Sequence, residues 1–325
     1  MFFVSVIIPT YNRKASLLRL LDSLTAQTLP VANFEVIVVD DGGSDGSAEV
    51  LQLQYPFPVH FLRQKNKGVT AARNYGSEFS KGDYLIFIDD DIELSRDVLR
   101  ALVQESLTRP DTIILGSLVL PDRLKAESVF AENEAKRLQA RSGAGTVPFT
   151  ECMTGLLAVK KQDFLKLGMF QDPTGGWPNW DDVDFGYRAT RGGFKIFRCV
   201  SATAAHWDYS VINFSLATDR WYLAGKSAPG LFQTHPAVKG SIPMFRDKEP
   251  INWRQDGKPL IVRKLTRMAI SSPPIMWSME RTALALEHLI PDSKMLPLLY
   301  RWIISGYIYR GYRAGLKMQG MSSDD

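Results

Sequence analysis

Apolar runs and segments of helical period alternate along the first ninety residues. Val4-Ser5-Val6-Ile7-Ile8, Phe34-Glu35-Val36-Ile37-Val38-Val39 and Tyr84-Leu85-Ile86-Phe87-Ile88 read as buried strands, and His60-Phe61-Leu62 as a weaker one. Between them Leu17, Leu18, Leu21 and Leu24 recur at helix spacing, as do Val50 and Leu51 after Ser44-Asp45. Strands without polar alternation, each followed by a helix, predict an α/β fold with a mostly parallel, Rossmann-like sheet flanked by helices. Ligands of such sheets gather beyond the C-terminal strand ends. Polar clusters stand at those ends here: Pro9-Thr10-Tyr11-Asn12, Asp40-Asp41-Gly42-Gly43-Ser44-Asp45 and Asp89-Asp90-Asp91.

Each cluster suggests a chemistry. Three adjacent carboxylates repel one another unless a cation or hydrogen-bond donors lie between them. A hard divalent ion is held by one or two carboxylates plus the phosphates of a substrate, whereas capping a turn is the plainer use of Asp at a strand end. Asp40 or Asp41, acceptor-only when ionised, suits a base N–H or ribose hydroxyls, and Gly42-Gly43 allows a tight turn beside them. Arg73 offers a planar fork for phosphate or a base carbonyl, or an ordinary salt bridge. Asp181-Asp182-x-Asp184 opens a helical segment whose positive end favours carboxylates, with Asp184 spaced to pair Arg188. Trp177 and Trp180 lie on the Gly/Pro-rich stretch Gly175-Gly176-Trp177-Pro178-Asn179-Trp180, suited to stacking on a sugar ring and to closing as a lid, or equally to packing in the core.

Five pieces in order carry a family resemblance. They are Val6-Ile7-Ile8-Pro9-Thr10-Tyr11-Asn12-Arg13, Val38-Val39-Asp40-Asp41-Gly42, Asn66-Lys67-Gly68-Val69-Thr70-Ala71-Ala72-Arg73-Asn74-Tyr75-Gly76, Phe87-Ile88-Asp89-Asp90-Asp91, and Asn179-Trp180-Asp181-Asp182-Val183-Asp184-Phe185-Gly186-Tyr187-Arg188. The chain resembles family 2 of the inverting, nucleotide-sugar-dependent glycosyltransferases, which have the GT-A fold. It departs at Gly43, where the family usually has Ser or Thr, and at Asp181, where Glu is common. Met169 and Gln171 also alter the usual pattern of Gly168-Met169-Phe170-Gln171-Asp172.

The resemblance implies metal-dependent transfer of a sugar, with inversion, from a nucleotide-diphosphate donor to a hydroxyl of a glycan or lipid-linked glycan, in cell-surface polysaccharide assembly. It gives Pro9, Thr10, Tyr11, Asn12, Asp40, Asp41, Arg73, Asp89 and Asp90 to the donor nucleotide, the base falling mainly to Asp41. It gives Asp91, with Asp89, to Mn²⁺ or Mg²⁺, and His206 to a further metal position. Inversion needs a base opposite the leaving group. By its place in the acidic motif that base is Asp182, with Asp181 as the alternative. Trp177, Trp180, Asp181, Thr154 and Gly155 fall on the acceptor side.

Composition changes the picture at the C-terminal end. From Leu260 to Asp325 nine Lys/Arg face five Asp/Glu, so this tail carries the whole net charge of +4. Two helical pieces are expected there, with breaks at Ser272-Pro273-Pro274 and Ile290-Pro291-Asp292. The apolar, aromatic run from Met295, with Arg301 inside it and Arg310, Arg313 and Lys317 after it, is too short and charged to span a bilayer. Residues 295–317 therefore predict peripheral membrane contact, or an amphipathic helix packed on the catalytic domain or on a second subunit. The expected organisation is a GT-A catalytic domain over 1–225 (donor half 1–118, acceptor half 119–225), a linker over 226–259 and a helical tail over 260–325. Ala131 to Arg137 reads as a helix and Ser142-Gly143-Ala144-Gly145 as a flexible stretch, within an insertion beside the acceptor site. Cys152 and Cys199 form no metal or disulfide pattern. With the first strand starting at once, no signal peptide is expected, and the expected location is cytoplasmic, peripheral to the membrane. No nucleic-acid partner is expected. A nucleotidyltransferase would call for a glycine-rich, basic loop directly after the first strand, where Pro9-Thr10-Tyr11-Asn12 stands. A silent scaffold would have lost the Asp triplet or Asp182.

Overall fold

The computed structural model describes residues 2–139, 143–174, 180–210 and 212–320. Strands β1 (Val4–Thr10), β2 (Phe34–Asp40), β3 (Val59–Arg63) and β4 (Tyr84–Ile88) lie in the order β3-β2-β1-β4, all parallel. They are joined by helix α1 (Lys14–Thr25), a 3₁₀ segment Ser47–Gln52 and helix α2 (Val69–Phe79). Thus Val50 and Leu51 belong to a 3₁₀ segment in place of a longer helix. On one face Val4, Val6 and Ile8 meet Leu17, Leu21 and Leu24 of α1. On the other Ile7 and Phe87 join Phe164, Phe170 and Phe185. This is the two-sided burial that the unalternating apolar runs require.

Beyond β4 the order is β5 (Ile92–Leu94), α3 (Val98–Thr108), β6 (Thr112–Val119), α4 (Asp122–Lys125), α5 (Val129–Gln139) and β7 (Gly145–Thr146). Then follow β8 (Leu156–Lys160), α6 (Lys161–Lys166), α7 (Asp181–Arg191) and the long β9 (Lys195–His206). Strand β8 runs antiparallel to β4 and β6, and β5 and β7 antiparallel to β9, whereas β6 and β9 are parallel. The sheet is therefore parallel in its first four strands and mixed after them. Two of these registers matter for the site. Ile88 opposite Leu156 brings Gly155 to the end of β4, and Ile92 opposite His206 brings the end of β9 beside the Asp triplet.

The chain divides into two compact units, one comprising Met1–Pro121, Ala135–Asp172 and Asp181–Asp208, the other Asp122–Glu134, Pro173–Trp180 and Tyr209–Asp325. The second is built on α8 (Phe214–Thr234), followed by α9 (Val238–Ser241), α10 (Lys258–Ile270), α11 (Pro273–Leu289) and α12 (Leu296–Met318). The two proline breaks yield three helices, because residues 258–270 upstream of Pro273 form a helix of their own. Position 225 lies within α8, and residues 226–259 hold the end of that helix, α9 and a further 3₁₀ turn. Helices α8 and α12 touch backbone to backbone. A Cβ added at Gly225 would lie 2.4 Å from the Ile308 carbonyl oxygen, and one at Gly311 2.0 Å from that of Tyr222. Ile303, Ile308, Tyr312 and Leu316 of α12 are buried, leaving Met295, Leu298 and Trp302 at its start exposed. Among the described residues no helix is long and apolar enough to cross a membrane.

Candidate active site

All three polar clusters of the parallel strands meet at one sheet edge, and hydrogen bonds tie them together. Asp90, buried at the end of β4, accepts from Thr10 Oγ1 at 2.7 Å and lies 3.3 Å from Arg13 Nη1. Burial pushes its pKa up to about 7, against the pull of Arg13 and Thr10. Asp91 accepts from Arg13 at 2.8 Å and has His206 Nε2 at 3.3 Å. Burial would raise Asp91, yet the His206 hydrogen bond and charge, with Arg13, hold it at about 2. Burial in turn lowers His206, but Asp91, and then Asp208 at 4.0 Å, raise it above its ordinary value. The Trp207 backbone N–H donates to the Asp91 carbonyl at 2.8 Å, fixing the two strands at this point.

Arg73 on α2 is the hinge of the arrangement. Only 4% exposed, it reaches Asp89 with Nη2 at 2.5 Å and Asp181 with Nη1 at 3.0 Å, while its Nε has no partner among the described residues. Burial lowers its pKa, but the paired carboxylates more than compensate. Asp181 also accepts from Thr70 Oγ1 at 3.1 Å. The Asp89 N–H donates to Gly155 O at 3.1 Å, and a Cβ at Gly155 would stand 3.1 Å from Asp89 Oδ2, so glycine leaves this carboxylate its space. Thr154 next to it is buried.

The helix α7 starts at this point. Asp182 Oδ1 accepts from the Val183 N–H at 2.7 Å, a contact of a helix's first turn. Asp184, fully buried, accepts from Arg188 Nε at 2.8 Å, and Arg188 Nη2 donates onward to the Met169 carbonyl at 2.7 Å. Thus Asp184 and Arg188 pair as the spacing predicts, and through Met169 they pin the altered Gly168-Met169 turn. Trp180 is buried, its indole N–H donating to Ala224 O at 2.9 Å within the helical unit. Trp177 lies outside the described residues, as do Gly175, Gly176, Pro178 and Asn179.

The Asp40-Asp41 turn is occupied by the chain's own donors. Asp41 accepts from Gln64 Nε2 at 2.7 Å and from the Lys67 and Gly68 N–H groups, both at 2.8 Å. Asp40 accepts from the Gly43 N–H at 2.7 Å, with Arg63 at 3.5 Å. Both carboxylates thereby shape the loop leading into α2. Asn12, at φ 53°, accepts from the Ser44 N–H at 2.7 Å. Tyr11 beside it is exposed, and Pro9 is buried in β1. The departure at Gly43 has a steric reason: an added Cβ would stand 2.9 Å from Asp40 Oδ1 and 3.0 Å from Asn12 N. Sequence reasoning gave Arg13 no role, although it lies in the first motif. Its contacts with Asp90 and Asp91 join strand ends 77 and 78 positions apart, which no local pattern reveals.

Fitness for a metal can be read from the donor set. Among the described residues no three His, Cys, Asp or Glu side chains form a ready cage. What is present is the Asp91–His206 pair, with Asp89 on the same strand end. A carboxylate and an imidazole, completed by diphosphate oxygens, fit a divalent ion that accepts mixed O/N ligands, and Mn²⁺ suits this set better than the all-oxygen preference of Mg²⁺.

Comparison with known proteins gives a family match and a likeness of fold. Residues 5–160 match the family model of Glycosyl transferase family 2. An uncharacterized glycosyltransferase of Haemophilus influenzae is 34% identical over 177 residues, covering 51% of this chain and 55% of that one. Hyaluronan synthase of Pasteurella multocida is 28% identical over 237 residues, 62% of this chain and 24% of that one. The chain spans about half or less of the length of these relatives. Among solved structures, mannosyltransferase PcManGT from Pyrobaculum calidifontis, in complex with GDP-Man and Mn²⁺, is similar with a TM-score of 0.57 at 20% identity. That match covers 94% of this chain and 86% of the other, a likeness of fold.

Proposed function

We propose, from the match of residues 5–160 to the model of Glycosyl transferase family 2 and the GT-A-like fold, that the protein transfers a sugar, with inversion, from a nucleotide-diphosphate donor to a hydroxyl of a glycan or lipid-linked glycan. The observation that carries this reading is Arg73, which joins Asp89 of the donor-side triplet to Asp181 of the acceptor-side motif. One buried guanidinium thus couples the strand end suited to a diphosphate to the helix start that supplies the base. Neighbouring proteins support the donor class: PcManGT binds GDP-Man with Mn²⁺, and a relative makes hyaluronan.

In this reading Pro9, Thr10, Tyr11 and Asn12 flank the base, and Asp40 and Asp41 hold the loop that borders it. Gly155 and Thr154 line the space between donor and acceptor. Asp91 and His206 would hold a divalent ion, whose charge would offset that gathering on the leaving diphosphate. Asp181 pairs with Arg73 and Thr70, and Asp182, by its place in the acidic motif, is the base. It takes the proton of the acceptor hydroxyl as that oxygen bonds to the anomeric carbon from the face opposite the diphosphate. The carbon–oxygen bond to the phosphate breaks, and its electron pair leaves with the nucleoside diphosphate.

The test is calorimetric titration of UDP, dTDP and GDP with Mn²⁺ and with chelator, on the natural protein and on Asp182→Asn. Metal-dependent binding of one nucleotide, kept by the variant while transfer is lost, supports the reading. Binding of none removes the donor assignment.

A further inference from the structure

Helices α10 and α11 bury almost none of their own apolar side chains. Over 13 and 17 residues, α10 buries Lys264 and α11 buries Met276 and Ala283. Helices this rich in Leu, Ile, Met and Trp depend on packing an apolar face for their stability. Here that face points outward: Val262 and Met268 of α10 are exposed, as are Trp277 (61%) and Leu289 (73%) of α11, beside Trp253 (70%) before α10 and Trp302 on α12. Half of the described chain's exposed large hydrophobics fall between Trp253 and Trp302. So dense an apolar surface marks an interaction site.

Charge says what covers it. A groove of about 720 Å³ is lined by Val262, Ile270 and Trp302 together with Lys258, Arg263 and Arg267. Its acidic member, Asp247, already faces both Lys248 at 2.9 Å and Arg267 at 3.2 Å. Lys258 and Arg263 make no ion pair among the described residues, and the buried Arg267 Nη1 has no hydrogen-bond acceptor there. The groove therefore offers donors and positive charge beside apolar walls. A second copy of the same face would set cation against cation. An anionic lipid meets both demands at once, with phosphate for the cations and hydrocarbon for the tryptophans.

We propose that the helical unit docks on an anionic phospholipid bilayer through the outer faces of α10 and α11 and the first two turns of α12, with the groove receiving a lipid phosphodiester head. Tryptophan and methionine enter the interface while the basic side chains lie at headgroup level. The contact differs from one along residues 295–317, because α12 beyond Trp302 packs against α8. It does not depend on the sugar-transfer chemistry.

The full chain is mixed with vesicles of phosphatidylcholine alone, or with phosphatidylglycerol added, and sedimented at low and high salt. Binding to the acidic vesicles, weakened by salt and absent with neutral ones, is expected. Quenching of tryptophan fluorescence by brominated acyl chains should accompany it. Arg263→Glu, and separately the pair Trp253→Ser with Trp277→Ser, should each weaken partitioning about tenfold or more. These positions are exposed, and an unchanged unfolding transition verifies the fold. Unaltered partitioning of both variants, or none by the natural chain, overturns the proposal. So does a concentration-dependent dimer that the same substitutions abolish, which would assign the face to a second copy.

Discussion

At the scale of single residues the site rests on carboxylates held in check by two arginines, and the arginines make it testable. Arg73 is 4% exposed and answers both Asp89 and Asp181. Removing one member of such a buried set leaves uncompensated charge, so Arg73→Ala should cost about 3 kcal/mol or more of unfolding free energy in urea. Arg73→Lys keeps the charge but not the fork, and should recover part of the stability while turnover stays low. The two neighbouring carboxylates separate in the same way. Asp182→Asn should lower turnover by about 10²- to 10⁴-fold with the melting temperature kept. Asp181→Asn, which strips Arg73 and Thr70 of a partner, should lower both. Equal losses of stability in the two variants would contradict the division of roles. Gly43→Ser, which restores the usual family residue, should destabilise by about 1–3 kcal/mol, since its Cβ meets Asp40 and the Asn12 backbone. That the three strand-end clusters of the candidate site would lie together was legible in the sequence, because each followed an apolar run. The reach of Arg13 to Asp90 and Asp91, and the use of Asp41 to tie down residues 64–68, were not. Both depend on loop paths that carry no periodic signal.

At the scale of elements, burial was legible throughout, and direction only for the first four strands. The runs at Val4, Phe34 and Tyr84 form the strands their composition requires. The same kind of run at Leu156 pairs antiparallel with β4, and nothing in an apolar pentapeptide states its direction. Yet this reversal carries Gly155 to Asp89, and the reversal of β5 against β9 carries His206 to Asp91. Two members of the site are thus placed by strand direction. In the helical unit, glycine sets the distance between α8 and α12. Gly311→Ala places a methyl 2.0 Å from a backbone carbonyl oxygen that cannot swing aside. The helices must part, at a cost of about 3 kcal/mol, read as a lower unfolding midpoint. Gly240→Ala, with open space around its Cβ, is the matched control and should leave that midpoint within about 0.5 kcal/mol.

For the molecule as a whole, the sequence separated a charge-balanced, strand-built first part from a basic helical end, but placed the boundary within what proves to be one continuous helix. Charge and proline spacing mark a change of character without marking where a helix stops. A thermodynamic expectation follows from the proposed cation site. Asp91 and His206 are a pair without a third ready ligand among the described residues, so the protein alone should hold Mn²⁺ weakly. A nucleoside diphosphate alone should also bind weakly, since its phosphates would face Asp89, Asp90 and Asp91 with no ion between them. Each supplies what the other lacks, so their binding must be coupled. A coupling of about 1–3 kcal/mol, or 5- to 150-fold in affinity, is expected. Thermal unfolding reads it directly: Mn²⁺ or the nucleotide alone should shift the midpoint little. Together they should raise it in proportion to the saturation reached, about 2.7 kcal/mol at a hundredfold excess over Kd. Reciprocity supplies the check, since the nucleotide must tighten Mn²⁺ by the same factor that Mn²⁺ tightens the nucleotide. Additive shifts would mean that the ion and the diphosphate do not share a site, and would remove Asp91 and His206 from the donor machinery.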